Sequence, residues 1–327
     1  MVSAAHKEVL EVLRSMVDAS RVPHAILFHQ NDGGGAYPLI LDFLEYLYGG
    51  NPRVGKLIHP DIHYVFPVAG ADKPVSQNFI KQWRELLLEN PFFLESELYA
   101  ALGIEGKQSN ISVWEARSVL EKLSLSAVEG SWRTVVVYLP EKMNAQAANT
   151  LLKMVEEPPQ KTLFLLVTQA PEKVLTTIFS RCFFLRLRPL PREEFLQVHP
   201  GMGESEEEYS NYFHDIMKCV LEKDYLSGME TADALGAMGS REKQKAFCRY
   251  SADALRNVFM IQQGLDDLAD MREDEKPFLQ ELAAGCRKTF PRFAIGELDG
   301  AVTLIERNVS QKILFSDLAC RLISARR

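Results

Sequence analysis

The sequence predicts an α/β domain on a largely parallel sheet, followed by an all-helical region, and three observations carry that prediction. Residues 134–139 and 163–168 are continuous apolar runs, the pattern of strands buried on both faces. A shorter run, Ala25, Ile26, Leu27, Phe28 and His29, leads directly into a glycine-rich stretch at residues 30–37. From about Tyr209 onward the sequence reads helical throughout, with apolar residues at helical spacing.

The elements follow in order. The opening helix carries Val9, Leu10, Val12, Leu13, Met16 and Val17 at helical spacing, and Pro23 precedes the first strand. After the glycines, residues 38–48 read as a helix that ends at Gly49, Gly50, Asn51 and Pro52. Residues 59–67 form an extended segment bounded by prolines. Residues 111–125 are helical, with Val113, Ala116, Val119, Leu120 and Leu123 on one face. Between the two long apolar runs lies a helix for which Asn144 is the expected cap and Pro158-Pro159 the stop. Residues 200–208 read as a solvated linker with glycines and an acidic run. Beyond it stand three stripes: Phe213, Ile216, Met217, Val220 and Leu221; Phe247, Tyr250, Ala254, Leu255 and Val258; and Val302, Ile305, Val309, Ile313 and Leu314.

Composition bounds the class. The chain has 327 residues, 46% of them hydrophobic and 25% charged, enough for two or three domains with substantial cores. A net charge of −7 excludes a protein coated in basic surface, so nucleic acid would meet a local patch or a larger assembly. No signal-peptide core or membrane-length apolar run is present, and the expectation is a cytoplasmic chain without membrane contact. Cys182, Cys219, Cys248, Cys286 and Cys320 form no Cys-x-x-Cys pair, which suggests neither zinc nor a disulfide framework.

The stretch after the first strand sits where a phosphate-binding loop would. Such a loop needs a Lys for the β/γ-phosphates and a Ser or Thr for Mg²⁺. Those positions here are Ala36 and Tyr37. A methyl group neutralises no phosphate charge, and a phenol is too bulky for the magnesium role. Gly33, Gly34 and Gly35 are then a retained but empty loop, with no cofactor expected.

Three stretches together resemble the delta-prime family of bacterial DNA polymerase III clamp-loader subunits. They are residues 21–28; Glu141-Lys142-Met143-Asn144 running through Ala148-Asn149-Thr150-Leu151-Leu152-Lys153 to Glu156-Glu157-Pro158-Pro159; and Thr177-Ile178-Phe179-Ser180-Arg181-Cys182. The resemblance covers most of residues 20–190 and is weaker toward Glu306 and Arg307. It implies an AAA+ ATPase-like module at 1–190, a shortened lid or linker at 191–209 and a helical collar at 210–327. It implies partners too: other loader subunits including an ATPase neighbour, with the sliding clamp and primer-template DNA met through the assembly. An active AAA+ strand would end in Asp and Glu, whereas Tyr138 and Leu139 stand there. The family's role of lending an arginine to a neighbour's ATP site falls on Arg181, flanked by Ser180 and Cys182.

The sequence departs from the family in having no cysteine across residues 48–58, where many members hold zinc, and no second sensor arginine in the short lid. Plainer readings stand beside the sharper ones. Cys182 is expected in the core, His59, Asp61 and His63 on the surface of an extended segment rather than on a metal, and Glu156 and Glu157 in a structural role. Arg117, with Lys122, lies on the polar side of its helix, a DNA-phosphate candidate or a solvated face. Two alternatives of other classes are an active P-loop ATPase, which Ala36, Tyr37, Tyr138 and Leu139 oppose, and a stand-alone AAA+-derived helical adaptor.

Overall fold

A computed structural model describes residues 2–325 except 71, 126, 130, 131, 267–270, 272, 273 and 308; for 201–205 and 242 only the backbone is described. The chain divides into two units, Met1–Val198 and His199–Arg327.

The first unit is built on β1 (Ala25–His29), β2 (Ile62–Val65), β3 (Arg133–Tyr138), β4 (Thr162–Thr168) and β5 (Phe183–Arg186). They form one sheet in the order β2-β3-β4-β1-β5, and every pairing is parallel. Parallel neighbours need crossovers, and the helices of this unit, those between strands and those at its two ends, cover both faces. They are α1 (Lys7–Asp18), α2 (Ala36–Leu47), α3 (Pro52–Gly55), α4 (Ile80–Glu89), α5 (Glu95–Ala101), α6 (Val113–Ser124), α7 (Ala145–Glu156), α8 (Thr176–Phe179) and α9 (Arg192–Val198). This is the parallel α/β domain that the sequence predicts.

Strand alternation feeds two cores. Ile26, Phe28, Val136, Tyr138, Leu165 and Val167 point into one. Ala25, Leu27, Val135, Val137, Phe164 and Leu166 point into the other. Because both faces are buried, the period-2 pattern vanishes from the sequence and only a continuous apolar run remains. The expected cap forms: Asn144 Oδ1 accepts the Ala147 amide at 2.8 Å, satisfying one of the orphan donors that open a helix.

β5 follows Cys182, which is half-buried rather than in the core as expected. β5 is an edge strand paired only with β1, and Phe183 and Phe184 are 40% and 37% exposed. Their side chains point to opposite faces, so the edge is bare on both.

The second unit comprises α10 (Pro200–Glu222), α11 (Tyr225–Gly236), α12 (Arg241–Gln262), α13 (Lys276–Gly285), α14 (Phe290–Glu306) and α15 (Gln311–Ala325). Residues 200–208, read above as a linker, are instead the first turns of α10. Pro200 is pre-set for a first helical turn, and the glutamates favour helix. Two glycines cost about 1 kcal/mol each there, which the buried stripe of Tyr209, Phe213, Ile216, Met217 and Val220 outweighs. The third stripe likewise breaks: α14 stops at Glu306, and Val309 and Ile313 are exposed while Ile305 and Leu314 are buried. Within this unit α12 packs on α14, and α11 on α15. The latter approach is close enough that a Cβ at Gly228 would lie 2.6 Å from Ile323 Cδ1. Among the described residues no helix is long and apolar enough to cross a membrane.

Candidate functional site

The loop between β1 and α2 is closed by the chain's own atoms. Gly35 caps α2 in a left-handed conformation, φ 80°, and a Cβ there would lie 2.8 Å from Phe92 Cε1. Only glycine fits. The Ala36 amide points where a phosphate oxygen would accept from a helix N-terminus. Here it donates to the buried Gln30 Oε1 at 2.7 Å. A neutral amide oxygen thus occupies the place of an anion.

Ala36 and Tyr37 turn inward rather than toward a ligand. The Tyr37 ring is buried, with centroids 5.3 Å from Trp83, 5.3 Å from Phe93 and 5.6 Å from Tyr138. Trp83 in turn stacks on Phe66 at 4.3 Å, with the planes 8° apart. Burial drives both phenol pKa values well up, so Tyr37 and Tyr138 stay neutral. Leu139 is fully buried in the same core, at φ 56°. Ala36, Tyr37, Tyr138 and Leu139 thus lie in one core as packing residues.

A polar network that the sequence did not reveal ties the strand ends together. Gln169 Nε2 donates to Asp32 Oδ1 at 2.8 Å and to the Tyr138 hydroxyl at 3.2 Å. Asp32 also accepts the Glu95 amide at 2.9 Å. Glu141 accepts from the Thr168 hydroxyl at 2.8 Å and the Gln169 amide at 2.9 Å, and burial pushes its carboxyl up. Carboxylates survive here because each oxygen named is hydrogen-bonded.

Arg181 lies elsewhere, between α8 and β5. Its partners are Glu156 at the end of α7, 2.8 Å away, and the Thr177 carbonyl, which accepts from it at 2.9 Å. The side chain is 39% exposed. Ser180 Oγ bonds the Thr177 carbonyl at 3.1 Å. Cys182 is half-buried, its thiol pushed up to about 11 by burial, and so it stays protonated and unreactive at neutral pH. Glu156, read above as structural, is the ion-pair partner of Arg181, and the 25-residue separation carries no local signal for that pairing.

Arg117 and Lys122 do not share one free cationic face. The Arg117 guanidinium sits 4.9 Å from the centroid of the Trp114 ring, and Lys73 Nζ lies 4.0 Å from the same ring. Lys122 is half-buried and donates to Gln77 Oε1 at 3.2 Å; burial lowers its pKa against the opposing pull of Glu115.

His59 and Asp61 are buried, contrary to the surface expectation. His59 Nδ1 accepts the Asp61 amide at 3.2 Å, while the Asp61 carboxylate accepts the Val128 and Glu129 amides at 2.7 and 3.0 Å. The segment leads into an edge strand, and what buries these two residues is Tyr48, whose ring centroid lies 4.5 Å from that of His59, and the loop at Val128 and Glu129. His63 is partly buried, and desolvation, with Lys122 adding to it, lowers its pKa from 6.5 to about 4. The unfolded chain then binds a proton below pH 6.5 that the folded chain refuses until about pH 4. Stability should fall as pH drops through that window, by up to about 3 kcal/mol at 1.36 kcal/mol per unit. Thermal melts of wild type and His63→Gln between pH 7 and 4 check this: the variant should lose less, and parallel curves would contradict it. Among the described residues no group of His, Cys, Asp or Glu is arranged to hold a metal.

Fold and site together define a parallel α/β module whose glycine-rich loop after β1 is filled from within. The family model described as DNA polymerase III, delta subunit, matches residues 5–191, more than half of the chain, and the chain belongs to that family. It is similar to DNA polymerase III subunit delta' of Bacillus subtilis (strain 168), 25% identical over 194 residues that make up 56% of this chain and 47% of that protein. The delta' subunit of Escherichia coli (strain K12) is 39% identical over 95 residues, 29% of this chain and 28% of its own length. The tau subunit of the same organism is 31% identical over 86 residues, 26% of this chain and 13% of that protein. The matched stretches thus span less than half the length of each of these relatives.

Proposed function

We propose that this chain is a non-hydrolysing subunit of a DNA polymerase III clamp loader. It helps place the sliding clamp on primer-template DNA and lends Arg181 to the nucleotide of a neighbouring ATPase subunit. Residues 1–190 act as the ATPase-like module, 191–209 as a reduced lid and 210–327 as the collar that joins other subunits, in the cytoplasm.

The observation that carries the reading is the occupied loop. Gln30 Oε1 holds the Ala36 amide, and Tyr37 and Tyr138 pack against each other where a phosphate lysine's neighbour and an acidic strand end would work. Residues 30–37 hold no lysine for the phosphates and no serine or threonine for Mg²⁺, the two groups such a loop contributes to phosphoryl transfer. Arg181, in contrast, is an exposed guanidinium with no nucleotide of its own to serve. Family membership supplies the assembly in which a neighbour's nucleotide is available.

Titration with ATP and Mg²⁺ by calorimetry, with a phosphate-release assay, tests the first half. The expected outcome is no saturable heat in the micromolar range and release equal to a blank; micromolar binding with turnover overturns it. Co-purification with loader ATPase subunits tests the second half. A chain that stays alone under conditions where those subunits assemble would be the stand-alone adaptor instead.

A further inference from the structure

The Arg181 guanidinium is held by its own chain. One terminal nitrogen lies 2.8 Å from Glu156 Oε1; the other donates to the Thr177 carbonyl at 2.9 Å and lies 3.5 Å from Ser180 Oγ. Glu156 is the last residue of α7, where unsatisfied carbonyls present the negative end of the helix dipole. A carboxylate is electrostatically misplaced at that end; Lys153 stands in the same last turn, and Arg181 pairs with the carboxylate directly. The paired side chains are nevertheless 39% and 38% exposed, so water competes for the contact and the pair is a weak one.

That combination has a consequence for catalysis in trans. A phosphate approaching Arg181 meets Glu156 as a like charge a few ångströms away, and the repulsion grows as an interface excludes water. Full donation of the arginine fork to phosphate oxygens therefore requires the carboxylate to let go. The Thr177 carbonyl carries no net charge and does not oppose the phosphate in this way. Arg181 keeps that backbone anchor while its other edge changes partner.

We infer that Glu156 is a competing acceptor that holds Arg181 back from the neighbouring subunit's nucleotide until docking draws the guanidinium away. It thereby sets the resting turnover of that site. The inference rests on the reading of Arg181 as a trans-acting residue.

The test uses the reconstituted loader with wild type, Glu156→Gln, Arg181→Ala and the double variant at matched assembly. Glutamine keeps the size and an acceptor oxygen while removing the charge. ATP hydrolysis is followed without clamp and DNA, then with both. Glu156→Gln should raise the resting rate about two- to five-fold, the factor to which a surface ion pair corresponds. The rise should vanish in the Arg181→Ala background. A fall in the resting rate would make Glu156 a positioning residue and overturn the inference. An unchanged rate, or a rise that persists without Arg181, overturns it as well. Arg181→Ala alone turning over like wild type is a different result, because it removes the underlying reading of Arg181 whatever Glu156 does.

Discussion

Arg181→Ala is expected to slow hydrolysis at the neighbouring subunit's site by about 10³–10⁵-fold, the worth of an arginine finger in P-loop enzymes. The transition state spreads negative charge over the γ-phosphate oxygens, and a guanidinium presents a rigid, permanently charged fork to it. On the proposed reading only the site that Arg181 serves loses its finger, so total ATPase of the assembled loader should fall in part. Folding should survive, because the substitution removes an exposed ion pair with Glu156, worth about 0.2–1 kcal/mol, and the hydrogen bond to the Thr177 carbonyl. Arg181→Lys should rescue poorly: an ammonium keeps the charge but offers no planar fork. Clamp- and DNA-stimulated hydrolysis at matched assembly decides the matter, and indistinguishable rates would reduce Arg181 to a surface arginine.

How legible this was depended on whether the signal was local. The runs that became β3 and β4 were plain because burial on both faces leaves no polar residue to blur them. Asn144 was readable as a cap because capping is decided within four residues. Ala36, Tyr37, Tyr138 and Leu139 drew notice by position along the motif, and all four are buried in one core. What fills the site drew none. Trp83 and Phe93 come from α4 and the segment after it, and their stacking on Tyr37 is a tertiary contact between distant stretches. Gln30 reads in the sequence as a loop polar residue, whereas in the fold its side chain holds the Ala36 amide. The glycines at 201 and 203 and the acidic run misled in the opposite direction: local composition favoured a linker, and the buried stripe farther along α10 prevailed. The exposure of Phe183 and Phe184 had no signal either, because an apolar run does not say whether its strand is central or at an edge.

Restoring an acid at the end of β3 should break the domain rather than revive its chemistry. Tyr138 is fully buried, its ring 5.3 Å from Phe93 and 5.6 Å from Tyr37. Tyr138→Asp removes an aromatic ring from the core, a change of the kind that costs about 3–5 kcal/mol. The new carboxylate enters apolar surroundings, with Asp32 and Glu95 as the charges that reach the site, both of its own sign. Desolvation and that repulsion raise its pKa above the unfolded value, so it folds protonated. Stability should then decline further as pH rises from the unfolded pKa near 4 toward the raised one, the reverse of the usual carboxylate trend. Against a typical total of about 5–15 kcal/mol, a loss of about 4 kcal/mol lowers the melting temperature by roughly 8–16 °C in a domain of this size. Tyr138→Phe separates the terms: it keeps the ring and loses only the Gln169 hydrogen bond, worth about 1 kcal/mol. Thermal and urea melts of the three proteins at two pH values, with ATP–Mg²⁺ calorimetry on each, make the comparison. A Tyr138→Asp chain that melts within about 2 °C of wild type, well inside the shift expected for such a loss, or that gains nucleotide binding, would show a site still open to its ligand. Loss of stability with no gain of binding is the expected result, because Tyr138 now serves the aromatic core and Gln30 holds the loop amide a phosphate would need.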